Sequence, residues 1–135
     1  MSSVLVDSNV ILDLVLDDPV WADWSAEVLF ECSQRTRLYI NHIIYSEVSV
    51  GFQSIEDLEA VFLTTGLELL EIPREALFLA GKVFLKYRTN KGATRFPLPD
   101  FYIGAQAAVL HMDLITRDAS RYRTYFPTVN IIQPQ

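Results

Sequence analysis

The sequence predicts an α/β fold around a parallel β-sheet, in a single domain covering residues 1–135. Short runs of consecutive apolar residues alternate with longer segments in which apolar side chains recur every three or four positions. Such runs are typical of strands covered on both faces, and such segments are typical of helices packed against a sheet. The length of 135 residues fits one domain with one core.

The first half of the chain contains two predicted strands and four predicted helices. Asp7 or Ser8 can cap the helix that follows the first strand, and Ser54 can cap a later one that Gly66 ends. In chain order the predicted elements are strand 4–6, helix 9–16, helix 20–35, strand 38–40, helix 43–52 and helix 55–65.

The second half adds three strands and three helices. Pro73 and Pro99 suit the start of a helix, and Gly92 and Pro97 indicate an irregular loop over residues 90–98. The predicted elements are strand 67–72, helix 73–87, helix 100–112, strand 114–116, helix 119–125 and strand 130–132.

Composition limits the class of protein. Cys32 is the only cysteine, so the chain can form neither an internal disulfide nor a cysteine-based zinc cluster. The apolar N-terminus lacks a basic flank and is interrupted by Asp7 and Asp13, so we expect neither a signal peptide nor a membrane span. A cytoplasmic location is the expectation.

The charge is distributed unevenly along the chain. The net charge is −6, but the first 70 residues carry 12 acidic and 2 basic side chains, whereas the rest carry 5 and 9. The basic residues could hold phosphates or could simply be solvated surface. They cluster as Lys82, Lys86, Arg88, Lys91 and Arg95, and as Arg117, Arg121 and Arg123.

Four carboxylates are predicted to gather near one edge of the sheet. Asp7 and Asp118 follow strands, and Asp100 opens the helix that leads into strand 114–116. Sites in such folds form beyond the carboxyl ends of the strands, although each aspartate could serve only as a helix cap. Glu47 lies on or beside the apolar stripe of its helix, where a buried carboxylate needs a partner or a metal and a solvated one needs neither.

Oxygen ligands without histidine or cysteine suit Mg²⁺ or Mn²⁺. Such an ion can activate water and stabilise charge on an attacked phosphate, which is the chemistry of phosphodiester hydrolysis. His42 and His111 fit no ligand spacing and are interpreted as structural.

Four segments carry these carboxylates and resemble the acidic motifs of PIN domains: VDSNVILD (6–13), YSEVSVG (45–51), PLPDFYIGAQA (97–107) and LITRDASRY (114–122). Their order, spacing and nearly full-length coverage resemble VapC toxins of VapBC toxin–antitoxin pairs. The resemblance implies a three-layer α/β/α fold with a short central parallel sheet. It also implies that the catalytic and metal-binding residues are Asp7, Glu47, Asp100 and Asp118.

The resemblance further implies a Mg²⁺- or Mn²⁺-dependent endoribonuclease that cleaves RNA such as tRNA or rRNA. A VapB-like antitoxin and a homodimer are the implied partners. The alternatives are a PIN nuclease of RNA processing outside a toxin–antitoxin pair, and a non-catalytic RNA-binding module. Four motif residues have either a site role or a structural one: Ser8, Asn9, Thr116 and Arg117, the last as a phosphate contact or an exposed charge.

Two other acidic α/β families fit less well. A haloacid-dehalogenase-like phosphatase requires a second aspartate where this chain has Asn9, and a response-regulator receiver requires a late lysine where it has Thr116-Arg117-Asp118.

Two helices are more apolar than one buried face requires. Helix 73–87 is apolar on several sides, and in helix 20–35 Leu29 and Phe30 lie off the stripe of Trp21, Trp24 and Val28. We predict that one of these surfaces forms a homodimer and that an antitoxin groove lies near the other. The alternative is that both are core helices.

Overall fold

The computed structural model describes residues 3–91 and 98–135, without the side chains of residues 90 and 91. Its five strands form one parallel sheet in the order β3-β2-β1-β4-β5. The strands are β1 (Val4–Val6), β2 (Leu38–Ile40), β3 (Glu68–Leu69), β4 (Asp113–Ile115) and β5 (Ile131–Ile132).

Seven α-helices connect the strands within the described residues. Because parallel crossovers are almost always right-handed, the strand order puts the first four on one face of the sheet and the last three on the other. The α-helices are α1 (Ser8–Val15), α2 (Ala22–Ser33), α3 (His42–Val48), α4 (Ile55–Thr65), α5 (Arg74–Lys91), α6 (Pro99–Leu110) and α7 (Ser120–Tyr125). Contacts of α1 with α2 and α3, and of α6 with α5 and α7, agree with these layers. The predicted α/β architecture is confirmed.

The core lies where the central strands meet both helix layers. Leu5, Val6, Ile40, Leu114 and Ile115 are fully buried, as expected for parallel strands covered on both faces. No helix of the described residues is long and apolar enough to cross a bilayer.

Two predicted boundaries differ from the structure near the sheet edge and near Glu47. The edge strand β3 is only two residues long, although the backbone N–H of Leu70 still donates to the carbonyl oxygen of Ile40 at 2.7 Å. Helix α3 ends at Val48 and tightens into a 3₁₀ turn over Ser49–Gly51. The Ser49 hydroxyl donates to the carbonyl oxygen of Tyr45 at 2.8 Å, and such a bond from a side chain to the backbone four residues earlier often distorts a helix.

The loop predicted over residues 90–98 falls largely outside the described residues, and its first two positions continue α5 to Lys91. Leu29 is only 7% exposed and belongs to the core, as the alternative of core helices predicts, and it lines a cleft together with residues of α1 and α4. Phe30, by contrast, is 64% exposed. On α5, Leu77, Phe78 and Leu85 are also exposed, so that helix presents an apolar outer surface.

Candidate active site

The site lies where the chain reverses its direction across the sheet. The chain moves from β1 outward to β2 and β3, then returns to place β4 on the other side of β1. Crevices form at the carboxyl ends of strands at such a point. Asp7 follows β1 and Thr116 follows β4, so the topology brings them together.

Asp7 is the most buried carboxylate of the site, with 4% of its surface exposed. It caps α1, with its Oδ1 accepting from the backbone N–H of Ser8 at 2.8 Å. Its Oδ2 accepts hydrogen bonds from the hydroxyls of Thr116 and Tyr122, each at 2.9 Å. Burial raises the pKa of Asp7, and the charge of Asp100 raises it further, against the lowering effect of these hydrogen bonds.

Glu47 is joined to Asp7 through one hydroxyl. The Ser8 Oγ lies 3.0 Å from Oε1 of Glu47 and 3.5 Å from Oδ1 of Asp7, so its single proton is better placed toward Glu47. Partial burial raises the pKa of Glu47, as do the charges of Asp7 and Asp100. Ser8 therefore belongs to the site as well as to the first turn of α1.

Asp100 reaches the same cluster from the first turn of α6. The Tyr122 hydroxyl lies 3.4 Å from its Oδ1, and Nη1 of Arg121 forms a salt bridge with its Oδ2 at 3.0 Å. The structure thus brings together three of the four predicted carboxylates, Asp7, Glu47 and Asp100, and links them through Ser8 and Tyr122.

Asp118 occupies the rim of the site. Its side chain is exposed, and the connection to the cluster runs through its backbone N–H, which donates to the Thr116 hydroxyl at 3.1 Å. The carboxylate acts electrostatically on the neighbouring Arg117 and lines a cleft with Arg121. Its placement among the metal ligands stays a prediction.

Buried amides hold the helices that carry Glu47 and Asp100. Asn41 caps α3 by accepting from the backbone N–H of Ile44 at 2.8 Å, and its amide donates to Oε1 of Gln106 on α6 at 2.8 Å. Gln106 in turn donates to the carbonyl oxygen of Glu71 at 3.1 Å. A satisfied buried network of this kind fixes the relative position of α3 and α6.

Arg117 is partly buried and paired rather than an exposed charge, and its role as a phosphate contact stays a prediction. Its guanidinium forms a two-point salt bridge with the buried Asp13, with Nε–Oδ2 at 2.6 Å and Nη2–Oδ1 at 2.9 Å. The guanidinium also lies over the ring of Trp21, 5.3 Å from its centre. Its backbone N–H donates to Asn9 Oδ1, so Asn9 and Arg117 together connect α1 to the end of β4.

Sequence reasoning missed Tyr122, Arg121 in its pairing with Asp100, and Gln106. Tyr122 lies inside the last motif, four residues after Asp118, but no local pattern shows that its hydroxyl points at Asp7. The histidines lie at exposed helix ends, His42 at the start of α3 and His111 just after α6.

The donor set fits a hard divalent cation. Across residues 3–91 and 98–135, no three side chains of the acidic, histidine or cysteine type lie close enough together to surround an ion as they stand. Burial raises the pKa of Asp7 and of Glu47, and the charge of Asp100 raises both further, so a bound cation would relieve that repulsion. Carboxylate oxygens and a hydroxyl are ligands that Mg²⁺ and Mn²⁺ accept.

Comparisons with solved structures find the same fold. The chain is similar to the Rickettsia felis VapBC2 complex bound to a promoter DNA fragment, with 15% identity, a TM-score of 0.71 and 98% of each chain covered. It is also similar to DNA-bound VapBC from Salmonella typhimurium, with 20% identity, a TM-score of 0.66 and 98% of each chain covered. A third similar structure is FitAcB from Neisseria gonorrhoeae, with 21% identity, a TM-score of 0.68 and 97% of each chain covered.

No curated protein matches the chain significantly. The family model for the PIN domain matches residues 4–127, which include all four acidic motifs. PIN domains are generally nucleases and typically use divalent metal ions. The chain belongs to the PIN-domain family.

Proposed function

We propose that this protein is a Mg²⁺- or Mn²⁺-dependent endoribonuclease and the toxin of a toxin–antitoxin pair. The observation that carries the nuclease assignment is the convergence of Asp7, Glu47 and Asp100 at the carboxyl end of β1. Burial and the charge of Asp100 raise the pKa of both Asp7 and Glu47, so keeping these two carboxylates ionised is costly to the fold unless they bind a cation.

Asp7, Glu47 and Asp100 would hold the ion, with Asp118 at the rim. The ion would supply an activated water and would stabilise charge on the attacked phosphate. Ser8 keeps the Asp7 and Glu47 carboxylates adjacent, while Thr116 and Tyr122 hold Asp7 in place. Because Asp118 is exposed, we expect its replacement to reduce activity less than replacement of the other three.

A polar path beside the carboxylates supports RNA as the substrate. A cleft of about 260 Å³ lined by Tyr87, Asp118 and Arg121 meets a second cleft of about 390 Å³ lined by Lys86, and the two share Thr124 and Tyr125. Proteins that bind single-stranded nucleic acid commonly place basic side chains along the phosphates and aromatic rings against the bases. Lys91 and Arg95 of the predicted basic patch lie outside the side chains that the structure describes.

An apolar groove on the opposite helix layer supports an antitoxin partner. A cleft of about 310 Å³ between α1, α2 and α4 is lined by Ile11, Leu14, Val15, Leu29, Ala60, Val61, Thr64, Thr65 and Leu67. The similar structures from Rickettsia felis and Salmonella typhimurium are VapBC complexes. We therefore place a VapB-like segment in this groove, and a homodimer on the exposed surface of α5.

The test uses the purified protein and structured RNA. Wild-type protein should cleave RNA with Mn²⁺ and not with a chelator, and Asp7→Asn protein should be inactive in both. Induced expression in a bacterial host should arrest growth with wild type and not with Asp7→Asn. RNA binding without metal-dependent cleavage would instead favour a non-catalytic module, and cleavage without growth arrest would favour an RNA-processing nuclease.

A further inference from the structure

Tyr122 contributes a buried hydroxyl to the site, and the acidic motifs assign no role to it. Its side chain is 1% exposed, and its hydroxyl lies 2.9 Å from Oδ2 of Asp7 and 3.4 Å from Oδ1 of Asp100. A tyrosine hydroxyl has a single proton to donate, and the shorter distance directs that proton to Asp7.

The two oxygens of Asp7 have different surroundings. Oδ2 accepts from two hydroxyls, those of Thr116 and Tyr122, which uses both of its lone pairs. Oδ1 accepts a well-formed hydrogen bond from the backbone N–H of Ser8, while the Ser8 hydroxyl, at 3.5 Å, is better placed toward Glu47. One lone pair of Oδ1 thus stays available on the side of Glu47.

We infer that Tyr122 is a positioning residue for the metal site: with Thr116 it fixes Oδ2 of Asp7, so that Oδ1 is the oxygen presented to an ion shared with Glu47 and Asp100. This inference rests on the proposed metal-dependent function. If this position only had to fill space, phenylalanine would serve as well as tyrosine. A buried hydroxyl is costly unless it is hydrogen-bonded, so the hydroxyl of Tyr122 points to a role for its hydrogen bond. Groups that orient metal ligands commonly change metal affinity by about 10- to 100-fold when they are removed.

The test is Tyr122→Phe, which keeps the ring and removes the hydroxyl. Mn²⁺ binding is measured by calorimetry without RNA, and cleavage is measured over a Mn²⁺ series. We expect the Mn²⁺ dissociation constant to rise about 10-fold or more and saturating Mn²⁺ to restore most of kcat. Tyr45→Phe is the matched control, because it removes a tyrosine hydroxyl that donates to a carboxylate, Glu59 at 2.7 Å, outside the site.

A second pair of variants covers the case in which Tyr122→Phe protein does not fold. Thr116→Val removes the other donor to Oδ2, and Thr116→Ser retains it, so the valine variant alone should bind Mn²⁺ more weakly. If wild type binds Mn²⁺ and the hydroxyl-deleted variants bind it within twofold of their controls, the positioning role of Tyr122 is overturned while the proposed function stands. If wild type binds no Mn²⁺ and cleaves no RNA, the proposed function fails and this inference fails with it.

Discussion

Replacing Arg117 with methionine should destabilise the protein strongly. Arg117 is paired with Asp13, which is only 3% exposed and also accepts from the hydroxyl of Ser25 at 2.9 Å. Methionine preserves much of the side-chain volume and the contact with Trp21, but leaves the Asp13 carboxylate buried without its counter-ion. Removing one partner of a buried ion pair usually costs more than the pair itself contributes.

The size of the effect follows from the burial of the two partners. Breaking a fully buried pair costs about 3–5 kcal/mol. The Arg117 side chain is 27% exposed and Ser25 still donates to Asp13, so water and one hydrogen bond offset part of that loss. We expect the free energy of unfolding to fall by about 2–4 kcal/mol, which lowers the melting temperature by roughly 10 °C for a domain of this size.

Urea denaturation at neutral pH, followed by far-UV circular dichroism, measures the change. The matched control is Arg37→Met, because Arg37 forms a salt bridge with Glu68 at 3.8 Å in which the side chains are 76% and 51% exposed. Exposed pairs contribute about 0–1 kcal/mol, so this variant should be nearly as stable as wild type.

A different ranking of the two variants would contradict a stabilising role of the Arg117–Asp13 pair. If the free energy of unfolding of Arg117→Met falls by less than about 1 kcal/mol, the ion pair with Asp13 does not stabilise the fold. If the variant stays folded and its RNA affinity falls by 10-fold or more, Arg117 contacts phosphate.

Four further predictions concern the site and the surfaces. Asp7→Asn should stabilise the metal-free protein at neutral pH. Because the pKa of Asp7 is raised in the folded protein, its ionisation lowers the free energy of unfolding as pH rises above 3.8, so the gain measured by urea denaturation should vanish as pH falls toward 3.8. Each of the single substitutions Asp7→Asn, Glu47→Gln and Asp100→Asn should lower kcat by orders of magnitude, and the triple variant should have a kcat only slightly lower. Additive losses of kcat in single-turnover assays would contradict a shared ion. Lys86→Glu should weaken RNA binding and reduce the slope of log affinity against log salt concentration by about one unit. An unchanged salt series would mean that the cleft lined by Lys86 does not bind RNA. Light scattering at micromolar concentration should give a dimer for wild type and a monomer for Phe78→Glu, and a wild-type monomer of 15.4 kDa would exclude the α5 interface.

Local chemistry specifies where several helices and strands begin and end. Caps and short apolar runs depend on neighbours within about four residues. Strands 4–6 and 38–40 and helix 55–65 were therefore predicted with the observed bounds, and Ser54 and Gly66 have the predicted cap roles. The rule that sites form at the carboxyl ends of parallel strands predicted that Asp7, Asp100 and Asp118 gather at one edge of the sheet, and Glu47 was added by its position on the apolar stripe of its helix.

The groups that those carboxylates contact depend on the tertiary structure. Asp7 bonds to Tyr122 across 115 positions of the chain, and Arg117 bonds to Asp13 across 104. No local pattern specifies such pairs, because they depend on β4 lying beside β1 and on where α7 then turns. The burial of Leu29 depends on the elements that pack against α2 in the folded protein. The length of β3 depends on its position at the edge of the sheet, where a strand has a partner on one side only.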